Sequence, residues 1–130
     1  MTARLTGFAV AVAALVHMPD IVAHHSFAAV FDADDPVELS GTVSKVEWFN
    51  PHVWFNIDVE NDDGTIEDWA LEMGSPNRLM RSGWNAESMT MGDMVIVTAS
   101  RARDGSRKAA VVSVKLSTGE ELFGAQDSSQ

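Results

Sequence analysis

Two consecutive segments of the chain alternate between apolar and polar residues, and a tight turn lies between them. The segments are "HVWFNIDVE" (52–60) and "TIEDWALEM" (65–73), and the turn is "NDDG" (61–64). Because successive side chains point to opposite faces of a strand, this period predicts two strands that each bury one face. The composition of the turn predicts that they pair as an antiparallel hairpin. The core residues that the alternation predicts are Val53, Phe55, Ile57, Val59, Trp69, Leu71 and Met73.

Further segments have the period of strands. The segment "PVELSGTVSKVEW" changes phase beside Gly41 and Ser44, which predicts a long strand bent by a β-bulge. The segments "MGDMVIVTASRA" (91–102) and "AAVVSVKL" (109–116) alternate, and "STGEELF" (117–123) predicts a turn and a brief edge strand. We predict one shared barrel interior that includes Val53, Phe55, Ile57, Trp69, Leu71, Val95, Val97, Val112 and Val114.

A short helix interrupts the strands. In "SPNRLMRSG", Ser75 is a favoured N-cap, Pro76 suits the first helical position and Gly83 suits the end of a helix. We therefore predict a helix from Ser75 to Ser82 that closes one end of a barrel. Three strands, a helix and two or more strands predict an all-β fold with one short helix, an OB-fold-like small barrel of five to six strands. A sandwich would need about seven strands and no helix in the middle.

The start of the chain has the layout of a secretory signal peptide. Arg4 precedes the apolar run from Leu5 to Val16, and Ala23 is a small residue at the predicted cleavage position. The run is too short to cross a bilayer comfortably, since a span takes about 20 apolar residues. We expect residues 1–23 to be removed and the protein to be periplasmic or secreted, with no stable membrane span after cleavage. An uncleaved anchor or a buried helix is the alternative.

The remaining chain is predicted to hold one domain. We divide it into an N-terminal arm at residues 24–36, an OB-like barrel at residues 37–123 and a disordered tail at residues 124–130. The chain has no cysteine, so neither disulfides nor thiolate metal sites are available. The domain must therefore be held together by its apolar core.

The net charge of the chain is −10. Removing the predicted signal peptide takes away one basic residue, Arg4, and one acidic residue, Asp20, so the charge is unchanged. An acidic surface repels phosphate backbones, which makes nucleic acid a poor partner in spite of the predicted fold. A small ligand or an envelope protein is the expected partner.

One aromatic residue lies out of phase with the predicted core. Trp54 falls on the strand face opposite Val53, together with His52 and Asn56. OB barrels bind ligands on the outer face of their second and third strands, where an aromatic ring can stack on a base or a sugar. The predicted ligand-binding residues are therefore Trp54, Asn50 and Asn56. The alternative is that the N-terminal arm simply covers Trp54.

Histidines are concentrated at the predicted start of the mature chain. If cleavage follows Ala23, the α-amino group and the imidazole of His24 can chelate one metal ion together, and His25 or His52 can add a third nitrogen. Copper and zinc favour such nitrogen ligands. The set would be similar to the histidine brace of periplasmic copper proteins and lytic polysaccharide monooxygenases, which are built on sandwiches. The alternative is that the two adjacent histidines only dock the arm.

The acidic turn before the second strand of the hairpin does not have the features of a calcium-binding loop. The acidic stretch "ENDDG" has neither the spacing nor the distal glutamate of an EF-hand loop, so a plain hairpin turn is favoured.

Four segments resemble a known family. They are "AHHSF", "FDADDPVELSGTVSKVEWFNPHVWF", "WALEMGSPNRLMRSGW" and "GDMVIVTASRARDGS", and they extend from His24 to about Phe123. Together they are similar to a family of small exported bacterial proteins known as a domain of unknown function. The resemblance implies an exported OB-like β-barrel and gives no catalytic residues to carry over.

The function expected from the sequence is binding rather than catalysis. No Gly-rich phosphate loop follows a strand and no nucleophile elbow occurs, so no catalytic residue is predicted. We expect an exported β-barrel binding protein. In the form that we favour, it is an accessory protein of the periplasm that binds copper or zinc as its cofactor. The alternatives are an envelope protein interaction module and a copper-dependent oxidoreductase.

Overall fold

The computed structural model describes residues 26–126. This part of the chain consists of six strands and two short helices. In chain order they are α1 (Phe27–Val30), β1 (Phe31–Glu47), β2 (Trp54–Glu60), β3 (Ile66–Glu72), α2 (Pro76–Arg81), β4 (Met94–Ala102), β5 (Lys108–Lys115) and β6 (Glu121–Phe123).

The strands form a closed barrel. Their order in the sheet is β3-β2-β1-β4-β5-β6, with antiparallel neighbours. A parallel pairing between β3 and β5, in which Leu71 lies opposite Ala109, closes the ring. This ring of five strands, with a helix between β3 and β4, is the topology of the OB-fold. The predicted fold class is confirmed, with α1 as a second helix of a single turn.

The bend that the sequence predicts in the first strand is present. The register between β1 and β2 shifts between Val43 and Lys45, so that Ser44 is the extra residue of a bulge. Gly41 is needed close by because a Cβ there would lie 2.5 Å from the backbone oxygen of Asp58. The bulge and the glycine together let one long strand pair with β4 along its first part and with β2 along its last part.

The barrel interior contains every residue predicted for it except Val112. Val112 is 50% exposed, and its neighbour Val111 is buried instead. The register between β4 and β5 shifts here, since Thr98 lies opposite Ser113 and Ala99 lies opposite Val111. Val112 is therefore the extra residue of a second bulge, and the alternation of β5 changes face at this point.

The predicted helix is confirmed as α2. The hydroxyl of Ser75 accepts a hydrogen bond from the backbone N–H of Arg78, and Pro76 occupies the first turn. Leu79 packs in the core, and Gly83 follows the helix with a φ of +98°. Such a φ favours glycine, which explains why the helix ends here.

The ends of the described chain pack against the barrel. β1 begins at Phe31, before the predicted start of the barrel, and α1 lies against β4 and β5 through a small cluster of Phe27, Val30, Phe31, Ala102 and Ala110. At the other end, the side chain of Gln126 donates to the backbone oxygen of Glu72 at 2.6 Å. The remaining predicted tail, 127–130, and the predicted signal peptide, 1–23, lie outside the described residues. Within residues 26–126, no helix is long and apolar enough to cross a membrane.

Candidate functional site

The outer face of β2 and β3 carries a half-buried tryptophan between two carboxylates. Trp54 lies opposite Glu47 on β1 and opposite Glu72 on β3. The hairpin pairing extends beyond the first residue of β2, because the backbone N–H of Val53 donates to Gly74 O at 3.0 Å. His52 directly precedes Val53 in the chain, and it therefore lies near the end of β3 although it is not part of β2.

Negative charge dominates this face. The cross-strand register brings the carboxylates of Asp58 and Asp68 opposite each other, on the same face as Glu72. Lys45 lies opposite Asn56, and its ammonium pairs with Glu47 at 2.9 Å. The face that OB barrels use for ligands is thus acidic in this protein, and it favours cations over phosphates.

The predicted ligand-binding residues occupy one region of the barrel. Trp54 and Asn56 share the outer face of β2, and the amide nitrogen of Asn56 donates to Asp68 at 2.9 Å. Asn50 is exposed in the loop that precedes β2, where a cis peptide bond joins it to Pro51. Ligand binding by these three residues remains a prediction.

His52 has a carboxylate partner. Nδ1 of its imidazole pairs with Oε1 of Glu72. The side chain of Glu72 is only 13% exposed, whereas that of His52 is 43% exposed. A carboxylate at Nδ1 favours the tautomer with its proton on that nitrogen and leaves Nε2 with a free lone pair. Histidines that bind metals are commonly oriented in this way by a second carboxylate or carbonyl group.

Helix α1, at the start of the described residues, packs one strand away from Glu72. Glu72 lies opposite Ala110 in the parallel pairing of β3 with β5. Ala110 belongs to the cluster that Phe27 and Val30 of α1 cover. Since paired strands lie about 4.8 Å apart, α1 covers a residue one strand spacing from Glu72. His24 and His25, which precede α1 in the chain, lie outside the described residues.

The described residues do not form a metal site by themselves. Among residues 26–126, no three His, Cys, Asp or Glu side chains are grouped so that they could hold a metal ion. The acidic turn is occupied by its own contacts, because Asp63 accepts from the hydroxyl of Thr65 at 2.6 Å and from its backbone N–H at 2.9 Å. These hydrogen bonds lower the pKa of Asp63. The interpretation of this stretch as a hairpin turn agrees with its geometry.

A second polar group lies at the start of β3. The indole N–H of Trp69 donates to Glu67 at 3.2 Å, and Arg107 of the β4–β5 loop also donates to Glu67 at 3.2 Å. The bond from Trp69, followed by the charge of Arg107, lowers the pKa of Glu67. This group ties the β4–β5 loop to the sheet.

Sequence reasoning missed Glu72 as a member of the site. The residue is one of 19 acidic residues, so its type alone does not distinguish it. Its position does, because a hairpin centred on the turn at 61–64 brings Glu72 opposite Trp54. The register of the predicted hairpin was therefore the information that could have identified it.

Comparison with protein families gives one match. Residues 11–111 match the family of unknown function DUF6152. The chain belongs to this family. The match begins inside the apolar N-terminal run and ends in β5, whereas the segments that carry the resemblance begin at His24 and continue to about Phe123.

Comparison with individual proteins adds little to the family assignment. No curated protein matches this DUF6152 member. Among solved structures it is similar to the mitochondrial single-stranded DNA-binding protein Rim1 of S. cerevisiae, with 14% sequence identity and a TM-score of 0.48. The alignment covers 67% of this chain and 95% of that chain.

Proposed function

We propose that the protein is an exported metal-binding protein that holds one copper or zinc ion between its N-terminal histidines and His52. The observation that carries the proposal is the pairing of His52 with the largely buried carboxylate of Glu72. This pairing orients the imidazole and leaves Nε2 available as a ligand.

The other ligands come from the start of the mature chain. An N-terminal His24 offers its α-amino group and its imidazole, and His25 offers a further nitrogen. Ser26 follows these residues directly and precedes α1, which lies against the strand next to Glu72. Each residue adds at most about 3.6 Å of reach, and the proposal requires His24 and His25 to bend back toward His52.

The charge of the face supports a cationic ligand. Four carboxylates, those of Glu47, Asp58, Asp68 and Glu72, lie on the same outer face as Trp54. Such a surface attracts divalent cations and repels the phosphates of nucleic acids. The same charges weaken the case for an oligonucleotide ligand, which OB barrels elsewhere bind on this face.

Removing either member of the His52–Glu72 pair is expected to weaken metal binding. His52→Ala removes a ligand, and Glu72→Gln removes the group that orients it, which typically costs about 10- to 100-fold in metal affinity. Calorimetric titration of the processed protein with Cu(II) and Zn(II) measures both effects. Glu60→Gln is the matched control, since Glu60 is an exposed acid of the same hairpin. Equal affinities for all four proteins would exclude His52 from the site.

A protein interaction module is the second candidate. Trp54 remains partly exposed on the face of β2, and Phe49 in the adjoining loop is exposed. Aromatic residues in such positions are typical anchors of protein interfaces.

Under this second candidate, Trp54→Ala is expected to abolish capture of an envelope partner while thermal stability changes little. The reason is that the substitution removes contact area from the surface rather than from the barrel interior. A pull-down with envelope extract measures capture, and Ile66→Ala, an exposed apolar residue at the far end of the same hairpin, is the control. Loss of stability with capture intact would mean that Trp54 only packs against the barrel.

A further inference from the structure

Two exposed methionines flank the tight turn that leads into β4. Met91 is 71% exposed and Met94 is 56% exposed. Methionine is among the residues most often buried, and both Met73 and Met89 of this protein are buried in the core. Two exposed thioethers separated by only two residues therefore need an explanation.

The turn that carries them is held rigidly against β1. The backbone N–H of Gly92 donates to Val43 O at 2.8 Å, and the backbone N–H of Val43 donates to Asp93 O at 2.9 Å. The N–H of Asp93 also donates to Thr90 O at 3.2 Å across the turn, and Gly92 has a φ of +93°. The chain around Met91 is thus fixed by backbone hydrogen bonds on both sides.

The soft donor atoms at this turn are the two exposed thioether sulfurs. The carboxylate of Asp93 accepts from the backbone N–H of Thr90 at 2.9 Å and from its hydroxyl at 3.2 Å. The hydroxyl of Thr42 donates to Sδ of Met94 at 3.0 Å, which positions that thioether over β1. The thioether retains a second lone pair, and Met91, three residues earlier, has an exposed and flexible side chain.

We propose that Met91 and Met94 bind a monovalent soft metal ion, Cu(I). Soft thioether ligands select Cu(I) over zinc, calcium and magnesium, which prefer nitrogen or oxygen ligands. The ion enters in its reduced state, so binding involves no electron transfer. The site uses neither His52 nor the N-terminal histidines and does not depend on the histidine site proposed above.

Titration of the processed protein with Ag(I), a soft monovalent ion that does not change oxidation state, tests this site. With the methionine methyl groups labelled with ¹³C, we expect the signals of Met91 and Met94 to shift together. We expect no shift in the signal of Met80, an exposed methionine on α2. Met91→Leu combined with Met94→Leu should lower the affinity at least about 10-fold, and Met80→Leu should leave it unchanged.

Two results would overturn the proposal. One is an equal shift of Met80, Met91 and Met94, which means that Ag(I) meets exposed thioethers without selection. The other is a shift of Met91 and Met94 with a short apolar peptide but not with Ag(I), which makes the turn an apolar docking surface. His52→Ala should keep the methionine response intact, so a failure of the histidine site and a failure of the methionine site are observed separately.

Discussion

Phe55→Ala is expected to lower the free energy of unfolding by about 3–5 kcal/mol. Phe55 has no exposed surface and lies between Val46 of β1 and Leu71 of β3 in the sheet. The substitution leaves a cavity where strands from both sides meet, and a barrel closed on five strands can collapse little to fill it. Small domains are stable by only about 5–15 kcal/mol, so this single change removes a large part of the total.

Chemical denaturation of the two proteins measures the effect. Phe49→Ala is the matched control, because Phe49 is an exposed phenylalanine in the loop that precedes β2. We expect the control to change the unfolding free energy by less than about 0.5 kcal/mol. Similar losses for both substitutions would contradict the assignment of Phe55 to the barrel interior.

The order of the elements could be predicted because each one has a local pattern. The hairpin follows from alternation around a turn, the helix from Ser75 and Gly83, and the bend of β1 from a change of phase next to Gly41. These patterns involve neighbours in the sequence, so no tertiary information is needed. The pairing of β1 with β4 and the closing contact between β3 and β5 join residues far apart in the sequence and depend on the whole fold.

The second bulge could not be predicted for a physical reason. In "AAVVSVKL" both possible phases of the strand are apolar, since Val111 and Val112 are adjacent and equally suited to a core. The pairing of Thr98 with Ser113 decides which valine is buried. Sequence periodicity gives no preference when neighbouring residues are alike, and tertiary packing then chooses the register.

The start of β1 was missed for a different reason. The acidic segment from Asp32 to Asp35 is typical of a loop, yet it continues β1 from Phe31. Its side chains are largely exposed, and its residues have no partner in the register with β4, which pairs with Phe31 before the segment and with Pro36 after it. Charged residues and Pro36 at such a position protect a strand edge from pairing with other chains.

The candidate site was predicted in part. Trp54, Asn56 and His52 were recognised from the face opposite the core, and the structure adds Glu72 as the partner of His52. The contribution of His24 and His25 remains a prediction, because these residues lie outside the described part of the chain.

The N-terminal amine is expected to have the largest effect on metal binding. An α-amino group next to an imidazole forms a compact chelate only when the histidine is the first residue. One glycine added before His24 turns this amine into an amide and moves the free amine away from the imidazole, without touching the barrel. We use Zn(II) as the probe, because Cu(II) displaces amide protons and would bind the Gly-His-His start that the extension creates. We expect the affinity for Zn(II) to fall by on the order of 100-fold, because one ligand of the chelate is lost.

Calorimetric titration of the processed protein and of this extended version with Zn(II) tests the proposed metal site directly. Mass spectrometry of each sample first establishes that one begins at His24 and that the other carries the added glycine. We expect binding of one ion per processed protein and much weaker binding by the extended version. Equal affinities in the two titrations would contradict the N-terminal site and would leave His24 and His25 as structural residues of the arm.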